Sequence, residues 1–367
     1  MNILIQLSHP AHFHLYKVVI ANLKRDGHQV FVLIKTKDIL EDLLKNEGLE
    51  FHNILPVAHR KNKMGILFDM VKRDWKMYCF CRSHKIDLLT GSTAEVAQVS
   101  WFRNAYGMVV GEDDAAVVPA FGKVAAPFLR CLLTPIVCDN GKMENVSVKT
   151  SSYNELAYLH PNHFLADKSV VEKYFSADKP YFILRFAQLN AHHDKGIKGI
   201  NTDIAQHLID LLKPYGDIYI TSERPLENQF EQYRIKINPL DMHHVMAFSQ
   251  LYIGDSQTMA AESGLLGVPF IRYNDFVGRI GYLRELEDKY QLGFGIKASE
   301  AGSEENMYRV VEELLAMPDR HEVFQKRREK MLSEKIDYAK FLTWFIENYP
   351  KSKDVMRANP DYQYNFR

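Results

Sequence analysis

The stretch Leu251-Tyr-Ile-Gly-Asp-Ser-Gln-Thr-Met-Ala-Ala-Glu-Ser-Gly-Leu-Leu-Gly-Val-Pro-Phe270 decides how the chain is read. Its apolar start is a buried strand ending at Gly254, and Asp255-Ser256-Gln257-Thr258 forms a tight polar turn. Helix formers then run to Leu266, where Gly267 and Pro269 stop them. The first N–H groups of such a helix have no acceptor within it. Together with the helix dipole they favour an anion at Ser256, Gln257 and Thr258. Glu262 lies one turn beyond Thr258 on the same helix face, where a carboxylate accepts two hydroxyl hydrogens from a ribose. Phosphate on the helix end and ribose on the acid is the division of labour a nucleotide-sugar site requires. A capped α/β helix with a solvated Glu262 is the competing reading.

Working outward, the chain alternates strand and helix. Residues 3–7, a His/Pro turn, a helix over 15–24 and a strand over 29–34 form a right-handed β-α-β unit. The alternation continues through helix 40–46, strand 51–54, helix 66–81, strand 88–90, helix 94–102 and strand 107–110. A second series starts with strand 181–186, helix 203–212 and strand 217–221, and reaches the decisive stretch through helices near 227–233 and 242–249. Helices follow over 304–316, 320–332 and 338–348. With 367 residues, two domains are expected. The reading predicts Rossmann-like doubly wound domains over 1–170 and 171–350, with a polar tail over 351–367.

Composition narrows the classes. Hydrophobic residues make up 46% and charged residues 25%, ordinary for a globular protein. Lysine plus arginine equals aspartate plus glutamate at 46 each, which removes any general attraction to nucleic acid. Cys79, Cys81, Cys131 and Cys138 are spaced too irregularly for a disulfide framework or a CxxC zinc site, so reduced cytosolic thiols are expected. The N-terminus lacks signal-peptide features, and no apolar run approaches the ~20 residues that span a bilayer.

Several segments together carry a family likeness: Ser8-His-Pro-Ala-His-Phe-His-Leu-Tyr16 with Leu23 and Gly27-His28-Gln-Val30, Glu112-Asp113-Asp114, Leu184-Arg185-Phe186 with Ala191-His192, and residues 255–269. On them the chain resembles a GT-B glycosyltransferase. More closely, it resembles the GT-B-like family catalogued as domain of unknown function 354, related to nonhydrolysing UDP-N-acetylglucosamine 2-epimerases and to the transferase that makes lipid II. The resemblance implies an α/β protein of two Rossmann-like domains facing across a cleft, with a nucleotide sugar in the C-terminal half and an acceptor on the N-terminal half. It further implies a cytoplasmic, metal-independent enzyme with no cofactor beyond its UDP-type substrate. Such an enzyme would pass sugar to a cell-surface glycan or lipid-linked acceptor, with peripheral contact at the inner face of the membrane. A UDP-sugar 2-epimerase and a non-catalytic nucleotide-sugar binder are the alternatives. Many relatives have consecutive glycines where this chain has Asp255-Ser256-Gln257, which puts side chains where a pyrophosphate would otherwise meet backbone.

Further candidates lie where strands end, the edge at which open α/β sheets hold ligands. His12, then His14, then His9 are candidates for the base that takes a proton from an acceptor hydroxyl; capping and packing are the rival roles. Asp113 and Asp114 are expected to bind the acceptor or exchange its proton, against a solvated acidic turn. Arg185, inside an apolar strand, requires a carboxylate or phosphate partner. Arg224, His192 and Lys195 are weaker donors toward phosphate or sugar. Asn274 and Asp275 are expected to touch sugar hydroxyls, against ordinary turn chemistry. The basic, aromatic run over 64–84 reads either as an ordinary amphipathic helix or as a face for anionic lipid.

Overall fold

A computed structural model describes residues 1–35, 39–55, 63–187 and 199–367. The chain forms two compact units, residues 1–163 with 335–367, and residues 164–334.

The first unit is a seven-stranded parallel sheet: β1 (Asn2–Leu7), β2 (Gln29–Lys35), β3 (His52–Leu55), β4 (Leu88–Gly91), β5 (Tyr106–Val110), β6 (Leu132–Pro135) and β7 (Ser147–Thr150). Their order is β3-β2-β1-β4-β5-β6-β7, so the winding reverses between β1 and β4. That switch point opens a crevice at the carboxyl ends of the strands. Ile3, Leu4, Ile5 and Leu7 are all fully buried, as expected of a parallel strand covered on both faces. Helix Pro10–Arg25 turns Phe13, Tyr16, Ile20 and Leu23 inward at helical spacing.

The second unit has five parallel strands: β8 (Tyr181–Phe186), β9 (Asp217–Ser222), β10 (Leu251–Gly254), β11 (Phe270–Tyr273) and β12 (Gly293–Ile296). They are ordered β12-β11-β10-β8-β9, and here the winding reverses between β8 and β10. The decisive stretch is the strand-turn-helix-strand expected, with β10 followed by helix Gln257–Leu265 and β11.

The domain bounds differ from those read in the sequence. The units divide at 163/164 and again at 334/335, and residues 335–367 rejoin the first unit instead of closing the second and trailing off as a tail. The cause is apolar burial. Helix Tyr338–Glu347 sinks Phe341, Leu342, Phe345 and Ile346 into the first unit. The chain then continues through helix Lys351–Ala358 and the 3-10 turns Pro360–Phe366. Rings of Tyr362 and Phe366 lie 4.9 and 5.1 Å from that of Trp344, and buried Gln363 accepts the Ser151 N–H at 2.6 Å.

Asp337 anchors this return. Its carboxylate is fully buried and takes hydrogen bonds from His163 Nε2 at 2.7 Å, Asn162 Nδ2 at 2.9 Å and the Lys340 N–H at 3.1 Å. Burial acts to raise its pKa, but these hydrogen bonds and the His163 charge outweigh it and hold the carboxyl well below the usual range. A depressed carboxyl stabilises the fold above its unfolded pKa of about 3.9, and that contribution disappears as pH falls from there through the folded value. Asp337→Ala is expected to cost about 3–5 kcal/mol in denaturant unfolding at pH 7. Asp337→Asn should flatten the wild-type loss of stability below about pH 4; an unchanged acid limb would remove Asp337 from this role.

Candidate functional site

In the first unit the candidate groups follow β1 and β5. His9 caps helix Pro10–Arg25, its Nδ1 accepting the Ala11 N–H at 3.2 Å, and Pro10 begins the helix without an idle donor. His12 is half-buried, and its Nδ1 accepts the Ser8 N–H at 3.3 Å. A neutral ring accepting at Nδ1 carries its proton on Nε2. The His14 ring packs 5.0 Å from Phe13 and 5.2 Å from Tyr158.

After β5, Asp114 shapes the turn: its Oδ1 accepts the Asp139 N–H at 2.9 Å and its carbonyl the Val117 N–H at 2.9 Å. Asp113 is exposed and Glu112 half-buried. The Glu112 carbonyl accepts the Cys138 thiol at 2.9 Å. Burial, followed by the charges of Asp114 and Glu112, pushes that thiol up. Glu112 stands immediately beyond Gly111 at the strand's end, beside Asp113 and Asp114.

In the second unit, β8, β9, β10 and β11 end together along one sheet edge. Arg185 meets Glu223 from the end of β9, the carboxylate partner that a strand guanidinium requires. Its Nε is buried without a hydrogen-bond partner among the described residues. Gly254 admits this side chain to the turn, because a Cβ there would stand 2.9 Å from Arg185 Cβ and 2.6 Å from the Tyr252 hydroxyl. Asp255 is 3% exposed and accepts the Ala187 N–H at 2.6 Å. Burial pushes its carboxyl up to about 6 against the pull of those backbone bonds and of Arg224 and Arg185. Arg224 lies over the Phe186 ring and donates to the Ile200 carbonyl at 2.9 Å.

Ser256 caps helix Gln257–Leu265, its hydroxyl accepting the Met259 N–H at 3.5 Å, and Thr258 is half-exposed beside it. Gln257 does not crowd the helix end. Its amide oxygen turns back to accept from buried Arg272 at 2.9 Å and from Asn274 at 3.3 Å. Glu262 is 5% exposed, with Oε1 3.0 Å from Nε2 of buried His243. The solvated Glu262 of the competing reading is therefore not what the structure holds.

Asn274 is fully buried and spends both ends of its amide on the turn, donating to the Asp255 carbonyl at 2.9 Å and accepting the Phe276 N–H at 2.9 Å. That commitment opposes the expected contact with sugar hydroxyls. Asp275 takes the Ser299 N–H at 2.7 Å, tying its loop to the one after β12. A depression of about 630 Å³ opens there, with Arg279 and Lys297 in its lining. His192 and Lys195 lie outside the described residues.

Comparison with known proteins gives the architecture its family. Residues 1–278 match the model of the family described as protein of unknown function (DUF354). No curated protein matches the chain. Among solved structures, the UDP-GlcNAc 2-epimerase of Neisseria meningitidis bound to UDP-GlcNAc is similar at a TM-score of 0.64 and 13% identity, covering 93% of this chain and 98% of that one. The MurG of Acinetobacter baumannii is similar at 0.58 and 12% identity, covering 95% and 99%. The Streptomyces glycosyltransferase SsfS6 is similar at 0.58 and 11% identity, covering 95% and 100%. Those likenesses, with the seven- and five-stranded parallel sheets, show the GT-B fold. With its family model covering most of its length, the chain belongs to the DUF354 family.

Proposed function

We propose that the chain is a glycosyltransferase taking a UDP-type nucleotide sugar as donor, working without metal or resident cofactor, and passing the sugar to a glycan or lipid-linked acceptor. The observation that carries this reading is Arg185 at the end of β8: its Nε is buried with no hydrogen-bond partner among the described residues, and its charge acts on Asp255 in the turn before helix Gln257–Leu265. A desolvated guanidinium donor calls for an anion, and the diphosphate of a nucleotide sugar supplies one within reach of the Ser256 to Thr258 backbone. Glu262, oriented by His243, is assigned to the ribose hydroxyls. In the first unit, Asp113 and Glu112 are assigned to take the acceptor's proton. His12 is assigned to donate through Nε2.

The second reading, 2-epimerisation of a UDP-sugar, draws support from similarity to epimerases at TM-scores of 0.64 and 0.65, against 0.58 for MurG. The two readings separate in one reaction vessel. A transferase releases UDP only when an acceptor is added, whereas an epimerase interconverts the UDP-sugar with no acceptor present.

Calorimetry against a panel of UDP-sugars should show binding that Arg185→Ala weakens by about 10- to 100-fold, the loss of a charge-assisted hydrogen-bonded partner. Uridine, which lacks phosphate, should bind both proteins equally; equal UDP-sugar affinities would defeat the assignment. Asp255 adds a pH dependence. Above about 6 its carboxylate repels a diphosphate, and below 6 the neutral acid does not. UDP-sugar affinity should therefore rise several-fold, roughly threefold to tenfold, between pH 8 and pH 5. Asp255→Asn should bind equally at both.

A further inference from the structure

A continuous belt of aromatic rings and guanidinium groups crosses one face of the first unit. On helix Lys63–Ser83, Val71 and Trp75 stand one turn apart, 57% and 65% exposed. The Trp75 ring stacks on Tyr78 at 5.9 Å, and Arg103 lies over Tyr78 at 5.8 Å. Next to Arg103, at the end of helix Ala94–Arg103, Trp101 and Phe102 are 47% and 68% exposed. Both rest on Phe128, at 6.4 and 5.6 Å, and Arg130 lies over Trp101 at 5.2 Å.

Two properties of this belt select its occupant. Its large rings include the solvent-facing Trp75, Trp101 and Phe102, and the guanidinium groups of Arg103 and Arg130 lie over two of its rings, a pairing of aromatic and cation that suits the boundary between hydrocarbon and headgroups. Its outward charge is positive. Lys72 and Arg82 are exposed on the same helix, whereas Glu95 is buried and bound by Arg73 at 2.8 Å. Burial, followed by Glu95, pushes nearby Asp74 up to about 7, which lowers its negative charge. In a chain whose acidic and basic residues balance at 46 each, this positive charge is a local feature.

We infer that this face docks the protein on an anionic lipid bilayer, with Trp75, Trp101 and Phe102 among the headgroups and the neighbouring basic side chains on lipid phosphates. The inference does not rest on the sugar-donor reading, because its surface lies apart from the Arg185 site in sequence and its test needs no sugar.

The exposed Cys79, one turn from Trp75, provides a native reporter. The other three thiols are buried, and burial pushes those of Cys81 and Cys131 up to about 12, so a thiolate-selective dye at neutral pH marks Cys79. The full chain should float with vesicles of phosphatidylcholine mixed with phosphatidylglycerol, release at high salt, and shift the Cys79 dye to the blue. Pure phosphatidylcholine should do little. Trp75→Ser with Phe102→Ser should weaken partition by about tenfold or more, and Lys72→Glu with Arg82→Glu should remove the preference for anionic lipid. Circular dichroism should stay as in wild type. Equal flotation of wild type and variants would overturn the inference, as would absence of flotation on anionic vesicles. A concentration-dependent dimer abolished by the same substitutions, without vesicle binding, would overturn it in favour of a second copy of the chain.

Discussion

The start of helix Gln257–Leu265 depends on one buried charge. Arg272 in β11 is fully buried, and its guanidinium donates to Glu287 at 3.0 and 2.8 Å and to Gln257 at 2.9 Å. Withdrawing such an ion from water is expensive, and losing one partner of a buried pair leaves about 3–5 kcal/mol uncompensated. Gln257 is therefore committed to the sheet, and the first residue of the helix is fixed to the neighbouring strand. Asn274 donates to the same amide oxygen and to the Asp255 carbonyl, so strand end, turn and helix start form one hydrogen-bonded block. Glu287 stands on a turn of π-helix, Glu285–Lys289, against Gly295, where a Cβ would come 2.6 Å from its Oε2. The glycine of β12 is thus a condition of the ion pair, and the ion pair a condition of the helix end.

Much of this fold was legible because parallel strands buried on both faces appear as unbroken apolar runs. Leu251–Ile253 and residues 3–7 are of that kind, and each is followed by a polar turn and a helix. Strands β6, β7 and β12 were not legible: Thr134-Pro135 cuts the apolar start of β6 short, Ser147–Thr150 offers no apolar run, and Gly293 and Gly295 interrupt β12. The last residues read as a tail because their apolar content is aromatic and scattered, and only the pocket around Trp344 gathers it. The candidate residues divide in the same way. Their placement at strand ends followed from the alternation of elements, but their hydrogen bonds did not. That Gln257 faces Arg272, that His12 receives the Ser8 N–H and that Asn274 closes its own turn are tertiary facts with no local periodicity to announce them.

The two units use one architectural rule with different chemistry. In both, polar residues collect where parallel strands end, because there the backbone leaves the sheet and its donors and acceptors need partners. The first unit fills that edge with imidazoles and carboxylates, several committed to capping and turns. The second fills it with arginines, a helix N-terminus and the His243–Glu262 pair. The polar chemistry of the two sheet edges is thus distinct and separated along the chain.

The return of residues 335–367 to the first unit makes the second an insertion within the first. During synthesis, which advances from the N-terminus at roughly 5–20 residues per second, residues 164–334 emerge complete while the earlier sheet still lacks the Asp337 knot and helix Tyr338–Glu347, which packs on helix Pro10–Arg25. The early module must therefore wait, part-closed, for the codons of residues 335–367 before it gains its full cooperativity. A ribosome that stalls ahead of those codons would hold a chain whose inserted unit is finished and whose first unit is not.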